Sequence, residues 1–184
     1  MTTADATDSP LDELRARRDA IHRSLANTAE QRAAAHAAVA SAVATTGTAP
    51  AEWPTDSTKH DRDAQALELG AKEIEQHIHA EVGAIRLAIA KLENGRRNPI
   101  LARLNDLYSN RSALGVTASN TAATRAPFPS DLLPRLLSTE EELAGAITQL
   151  AAVDREIATT RAPLNRYEAE EIQRAQRADL ARVA

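Results

Sequence analysis

Glu73, His77 and Glu81 recur at intervals of four, and Glu75 and His79 repeat that spacing two residues out of phase. Side chains four apart share a helical face, so each set would place an imidazole beside carboxylates, the donor types that hold a divalent metal. One helix cannot close a coordination sphere, and no second segment offers a partner set. The paired Glu-x-x-His motifs of di-iron bundles are absent, as is His-Glu-x-x-His. His77 and His79 also point in different directions on a helix. These residues read as a solvated hydrophilic face, and neither a metal nor a cofactor is expected.

Other chemistries fare no better. Gly70-Ala71-Lys72 lies inside a helical pattern and lacks the rest of a phosphate-binding loop. Ser, His and Asp are present but never in a nucleophile-elbow context. The chain has no Cys, which excludes disulfides, thiolate nucleophiles and Cys-ligated metals. Catalysis needs a concave, rigid pocket, which slender Ala-rich helices supply poorly, so the expectation is a protein that is not an enzyme and takes no small-molecule substrate.

The residues that could do recognition lie off the long helices. Trp53 and Phe128 are the only Trp and Phe, and each stands beside proline in a linker. A large ring placed there can anchor a partner or plug the end of its own bundle. Leu132, Leu133, Leu136 and Leu137 crowd around Pro134 and carry the same two readings, a docking motif or an internal cap. Arg96 and Arg97 open a locally basic stretch, since residues 95–129 hold five Arg against Asp106 alone, whereas residues 1–94 hold 10 basic and 15 acidic side chains. Arg96 and Arg97 could meet an acidic partner surface or form a solvated face.

The elements that would carry these residues are helical throughout. A polar tail over 1–9, read as mobile, precedes Ser9-Pro10, a strong helix start with Asp12 and Glu13 in the first turn. On a seven-residue frame Leu11, Arg18, Leu25, Arg32 and Val39 share one seam position, and Leu14, Ile21, Thr28, Ala35 and Ala42 the other. That helix should reach Gly47. A second, from Ser57-Thr58 to Asn94-Gly95, carries Leu67, Ala71, Ile74, Ile78, Val82, Ile85, Ile89 and Leu92 at steps of four and three. The two predict a long antiparallel, coiled-coil-like hairpin over 10–94. A short helix from Pro99 and an irregular connector fill 95–129. C-terminal helices over 130–184 complete an all-α fold, with one start at Ser138, capped by Glu141, and a kink or new start at Pro163.

Of the 184 residues 40 are Ala and 2% are aromatic, so burial per residue is thin and a partner or self-association is expected to complete the core. A net charge of −4 makes a general nucleic-acid partner unexpected. The run Ala33 to Ala51 is uncharged but small and polar, which predicts no membrane span. The N-terminus lacks the order of a signal peptide, so the expected location is the cytoplasm or a particle assembled there. Together these features predict a non-catalytic structural or assembly protein, an elongated helical component that oligomerises or bridges larger pieces. Scaffold, connector and decoration components of phage-like particles share this general composition. The alternative is a regulatory adaptor or chaperone-like module holding one protein partner.

Overall fold

The computed structural model describes residues 9–49, 51 and 53–183, all of them helix or short connection with no strand. Of the expected tail over 1–9, residues 1–8 lie outside the described residues, and Ser9 is the cap of α1. Helices α1 (Pro10–Thr46), α2 (Trp53–Leu92), α3 (Asn98–Thr124) and α4 (Leu132–Val183) follow in order, with a π-helical turn at Glu93–Arg97 between α2 and α3. The chain forms two compact units, Met1–Gly83 with Tyr167–Ala184, and Ala84–Arg166. None of the described helices is long and apolar enough to cross a membrane.

In the first unit α1 starts where its sequence demands. The Asp12 N–H donates to Ser9 Oγ at 3.3 Å, and the Ser9 N–H donates back to Asp12 Oδ2 at 3.4 Å. Two otherwise unpaired donors are thereby satisfied at once. The other end closes on Gly47, whose φ of 74° suits a residue without Cβ and lets its N–H donate to the Val43 carbonyl at 2.9 Å. Between these caps the seven-residue frame is visible as burial: Leu11 and Arg18 are buried, and Leu14, Ile21, Leu25, Thr28, Ala35, Val39 and Ala42 are half-buried. Arg32 is the seam position left exposed, and it pairs with Asp61 of α2 at 3.1 Å. On α2, Ile74, Ile78 and Val82 are buried, while Leu67 and Ala71 are half-buried. Helix α2 begins at Trp53 rather than Ser57, because Pro54 is tolerated in a first helical turn.

Asn94-Gly95 does not end the second helix. A glycine stops a helix by turning left-handed, and Gly47 is the only described glycine with positive φ. The chain continues through the π turn into α3. The reason is visible in the seam. Its inner positions on α2 fall at 78, 82, 85, 89 and 92, then resume at 97, 100, 104 and 107, one residue later than the frame allows. A π turn holds one extra residue per turn and absorbs that slip.

The second unit departs further from expectation. Helix α3 runs through residues 115–124, where a connector was expected, and stops at Arg125, which adopts the left-handed conformation with φ 54°. Its polar residues satisfy themselves by back-bonding: Thr117, Ser119, Thr121 and Thr124 each donate a hydroxyl to the carbonyl four residues earlier, at 2.9–3.0 Å. Leu114, Ala118 and Thr121 keep the inner face going. Helix α4, with 52 residues, is the longest described element rather than a set of shorter ones, and both Ser138 and Pro163 lie within it. Its inner positions in this unit, 132, 136, 139, 143, 146, 150, 153, 157, 160 and 164, alternate by four and three without a break. That unbroken burial outweighs the local stop signals. Ala146 is buried there, and Ile147 beside it is 48% exposed.

The core of this unit is Leu104 and Leu107 from α3 against Leu143 and Ala146 from α4, with Ile100, Leu101 and Leu150 packed around it. Partly exposed ion pairs flank it: Arg161 with Glu93 at 3.1 Å, Arg97 with Asp154 at 2.8 Å, Arg103 with Glu142 at 3.1 Å and Arg111 with Glu140 at 2.5 Å. Numbers rise along the α3 side as they fall along α4, so the two run in opposite directions. Each such pair contributes about 0–1 kcal/mol, which makes the ladder a register device more than a source of stability.

Candidate functional site

Two places on the molecule concentrate unusual side chains, and they differ in chemistry. The first is apolar. At the end of the second unit, where α3 gives way to α4, Leu114, Gly115, Ala118, Phe128, Pro129, Leu132, Leu133 and Leu136 line a recess of about 370 Å³. The chain reaches it because Arg125 turns left-handed and the Leu132 N–H donates to the Pro129 carbonyl at 3.1 Å, folding residues 125–131 back into α4. Leu132 is buried and Leu136 half-buried, so they form the floor, while Phe128 at 59% and Leu133 at 64% exposure form an open rim. Leu137, one turn after Leu133 on α4, is exposed as well. Of the recognition residues read from the sequence, the structure brings four together here, Phe128, Leu132, Leu133 and Leu136, and Leu137 lies outside the recess.

The others lie elsewhere. Arg96 and Arg97 sit in the π turn and pair within the chain, with Glu156 at 2.5 Å and Asp154 at 2.8 Å. The Trp53 side chain lies outside the described residues. His77 and His79 are exposed on α2, and among the described residues no group of three or more His, Cys, Asp or Glu side chains could hold a metal ion.

The second place is charged, and the search for chemistry in the sequence passed over it. Arg18 stands at a seam position of α1 and is only 3% exposed. Its guanidinium donates to Glu171 at 2.7 Å and lies 3.6 Å from both Glu75 and Asp19, so one cation links α1, α2 and α4 within the first unit. Arg15 pairs with Asp12 at 2.9 Å and with Glu170, and Arg174 with Asp19. Burial alone would lower the Arg18 pKa, but the hydrogen bond and charge of Glu171, with Glu75 and Asp19 behind them, outweigh it and hold the group above its ordinary value. Tyr167 is pushed up by its burial first and then by the Glu171 charge. Arg15 Nε and Arg18 Nε are buried without a hydrogen-bond partner. The sequence signal was an arginine where the frame wants a leucine.

The first place presents an apolar surface, and the second ties α1, α2 and α4 together beside a cavity of about 490 Å³ lined by Arg18, Asp19, Glu170, Glu171, Gln173, Arg174 and Arg177. Compared with protein-family models, with curated proteins and with solved structures, the chain matches none.

Proposed function

We propose that this chain is a non-catalytic assembly protein, a helical component that oligomerises or bridges larger pieces. The observation that carries this reading is the contrast between a small set of buried apolar side chains and a generous exposed apolar inventory. Among the described residues Leu69, Leu87, Tyr108, Val116, Phe128, Leu133, Leu137, Ile147, Ile172 and Leu180 are all about half exposed or more. Single exposed leucines are ordinary, but clustered ones mark contact surfaces. A hairpin frame fits this role. The Arg18–Glu75 and Arg32–Asp61 pairs, whose numbers rise on α1 as they fall on α2, support an antiparallel α1–α2 arrangement. A scaffold, connector or decoration role in a phage-like particle is the setting we favour, on composition and helical style.

Light scattering of the purified chain tests the reading. The expected mass is a multiple of 19.7 kDa that persists on dilution into the micromolar range. A monomer at every concentration, binding no larger assembly, overturns it. The recess beneath Phe128 and Leu133 also favours a second reading, an adaptor that holds one apolar helix of another protein in that groove. An adaptor would stay monomeric alone and change mass only with its partner.

A further inference from the structure

The second unit, taken by itself, is a pair of helices, and a pair buries only the sides that face each other. On α3 the inner side is carried by Ile100, Leu104, Leu107, Leu114 and Ala118. About a third of a turn further round, at ~100° per residue, Tyr108, Ser112 and Val116 make a second stripe four residues apart. Helix α4 repeats the design. Its inner side is Leu132, Leu143, Ala146, Val153 and Ile157, and about a third of a turn further round in the same sense lie Leu133, Leu137, Ala144 and Ile147. Because α3 and α4 run in opposite directions, equal offsets in the same sense bring both second stripes to one side of the pair. Tyr108, Val116, Leu133, Leu137 and Ile147 are 48–64% exposed, and Phe128 at the turn end is 59% exposed.

We infer that this side of the α3–α4 pair docks against the same side of a second copy, closing a four-helix bundle. The inference rests on the assembly reading above and names its surface and its partner.

Two observations favour a second copy. The first is charge. In a two-fold interface the same patch faces itself, so a patch of one charge would repel its copy. Residues 112–124 of α3 carry no charged side chain at all, a long neutral run for a chain with 26% charged residues. On α4 one carboxylate, Glu140, falls within the second stripe, and it is neutralised inside the chain by Arg111, as Glu142 is by Arg103. The second is area. Six large side chains about half exposed leave roughly 600 Å² per copy, and the small Ser112, Ala113, Gly115 and Ala144 among them add to it. That approaches the ~800 Å² per partner of a standard stable interface. The open space around Gly115 leaves room for a neighbouring helix to approach closely.

The experiment uses the full chain and exploits its lack of Cys. Light scattering is run on the wild type and on a Val116→Glu, Leu137→Glu variant, with helix content followed by circular dichroism. The expected result is a wild-type dimer and a variant whose dissociation constant rises roughly a hundredfold at unchanged helicity, since burying two unpaired carboxylates is costly. Single cysteines with a flexible bismaleimide cross-linker give an independent readout: Val116→Cys, on the docked face, should cross-link two copies efficiently, and Asn110→Cys, on the opposite side of α3, should not. An oligomeric wild type whose variant keeps its mass, or cross-links equally at both cysteines, overturns this face while leaving the assembly reading intact. A wild type monomeric at every concentration overturns both. Should the double variant lose helicity, the cysteine pair decides.

Discussion

The two units place different chemistry at equivalent seam positions. In the second, the seam between α3 and α4 is Leu104 and Leu107 on Leu143 and Ala146, and charge is confined to a flanking ladder. In the first, Arg18 occupies the seam itself and is tied to carboxylates from α2 and α4. Apolar seams stabilise but tolerate slippage, because one leucine resembles the next. A buried ion pair contributes little net stability, since desolvation offsets attraction, yet it is satisfied in one register only. The comparison teaches a division of labour: the leucine seam supplies stability and the arginine seam supplies alignment.

The sharpest way to break that comparison is to hollow the leucine seam. Leu104→Ala or Leu143→Ala should cost about 2–5 kcal/mol, read as a lower urea midpoint with helicity followed by circular dichroism. A cost under about 1 kcal/mol would mean that this core is not the main source of stability. A smaller effect is expected from the arginine. Arg18→Met should cost about 1–3 kcal/mol, because Glu171 and Glu75 lose their cation but are about one-third exposed and can turn to water. Adding Glu171→Leu should return stability close to that of the wild type, as a hydrophobic replacement of a buried pair commonly does. A double variant no better than the single one would make the charge a net stabiliser and collapse the distinction.

The smallest expected effect concerns Tyr167, which lies beside the Arg18 cluster. Its burial and the Glu171 charge raise its pKa in the folded state. The folded protein therefore favours the neutral phenol. That contribution is complete below the unfolded value of about 10 and is lost as pH rises through it toward the folded value. Thermal melts from pH 8 to 11 should show a steeper alkaline decline for the wild type than for Tyr167→Phe. Tyr108 remains in both chains, so the difference isolates Tyr167. Parallel curves would place Tyr167 outside the electrostatics of the cluster.

Much of this architecture was legible in the residues. The all-helical class, the start at Ser9, the stop at Gly47, the α1 seam and the α2 stripe follow from capping chemistry and a repeat of threes and fours. The errors share a cause. Ser138 with Glu141, Asn94-Gly95 and the Ser/Thr-rich run after Leu114 are all valid local signals of a helix boundary, and at each the inner face simply continues; at Pro163 no new helix starts. Local preferences of about 1 kcal/mol, or about 3 for proline, yield to a face that buries a large apolar side chain on every turn. Following the inner positions of α4 from Leu132 to Leu164 would have exposed its continuity. The candidate recess was half legible. Phe128 and the four leucines stood out by type and position, but which of them formed its floor or rim depended on where α3 ended. Arg18 was placed correctly in the seam without its partners, because Glu171 is 153 residues away.

The π turn at Glu93–Arg97 bears on how such a chain changes over time. Its facing helix, α4, carries no matching slip in its inner positions. One arm of the second unit thus holds a residue that the other does not answer, and the mismatch is settled within five residues. Hairpins built on a strict repeat ought to be intolerant of single-residue insertions, since each would turn every later side chain by ~100°. A widened turn converts that rotation into a local bulge. One such turn thus lets one arm of this pair carry a residue that the other lacks without losing their shared face.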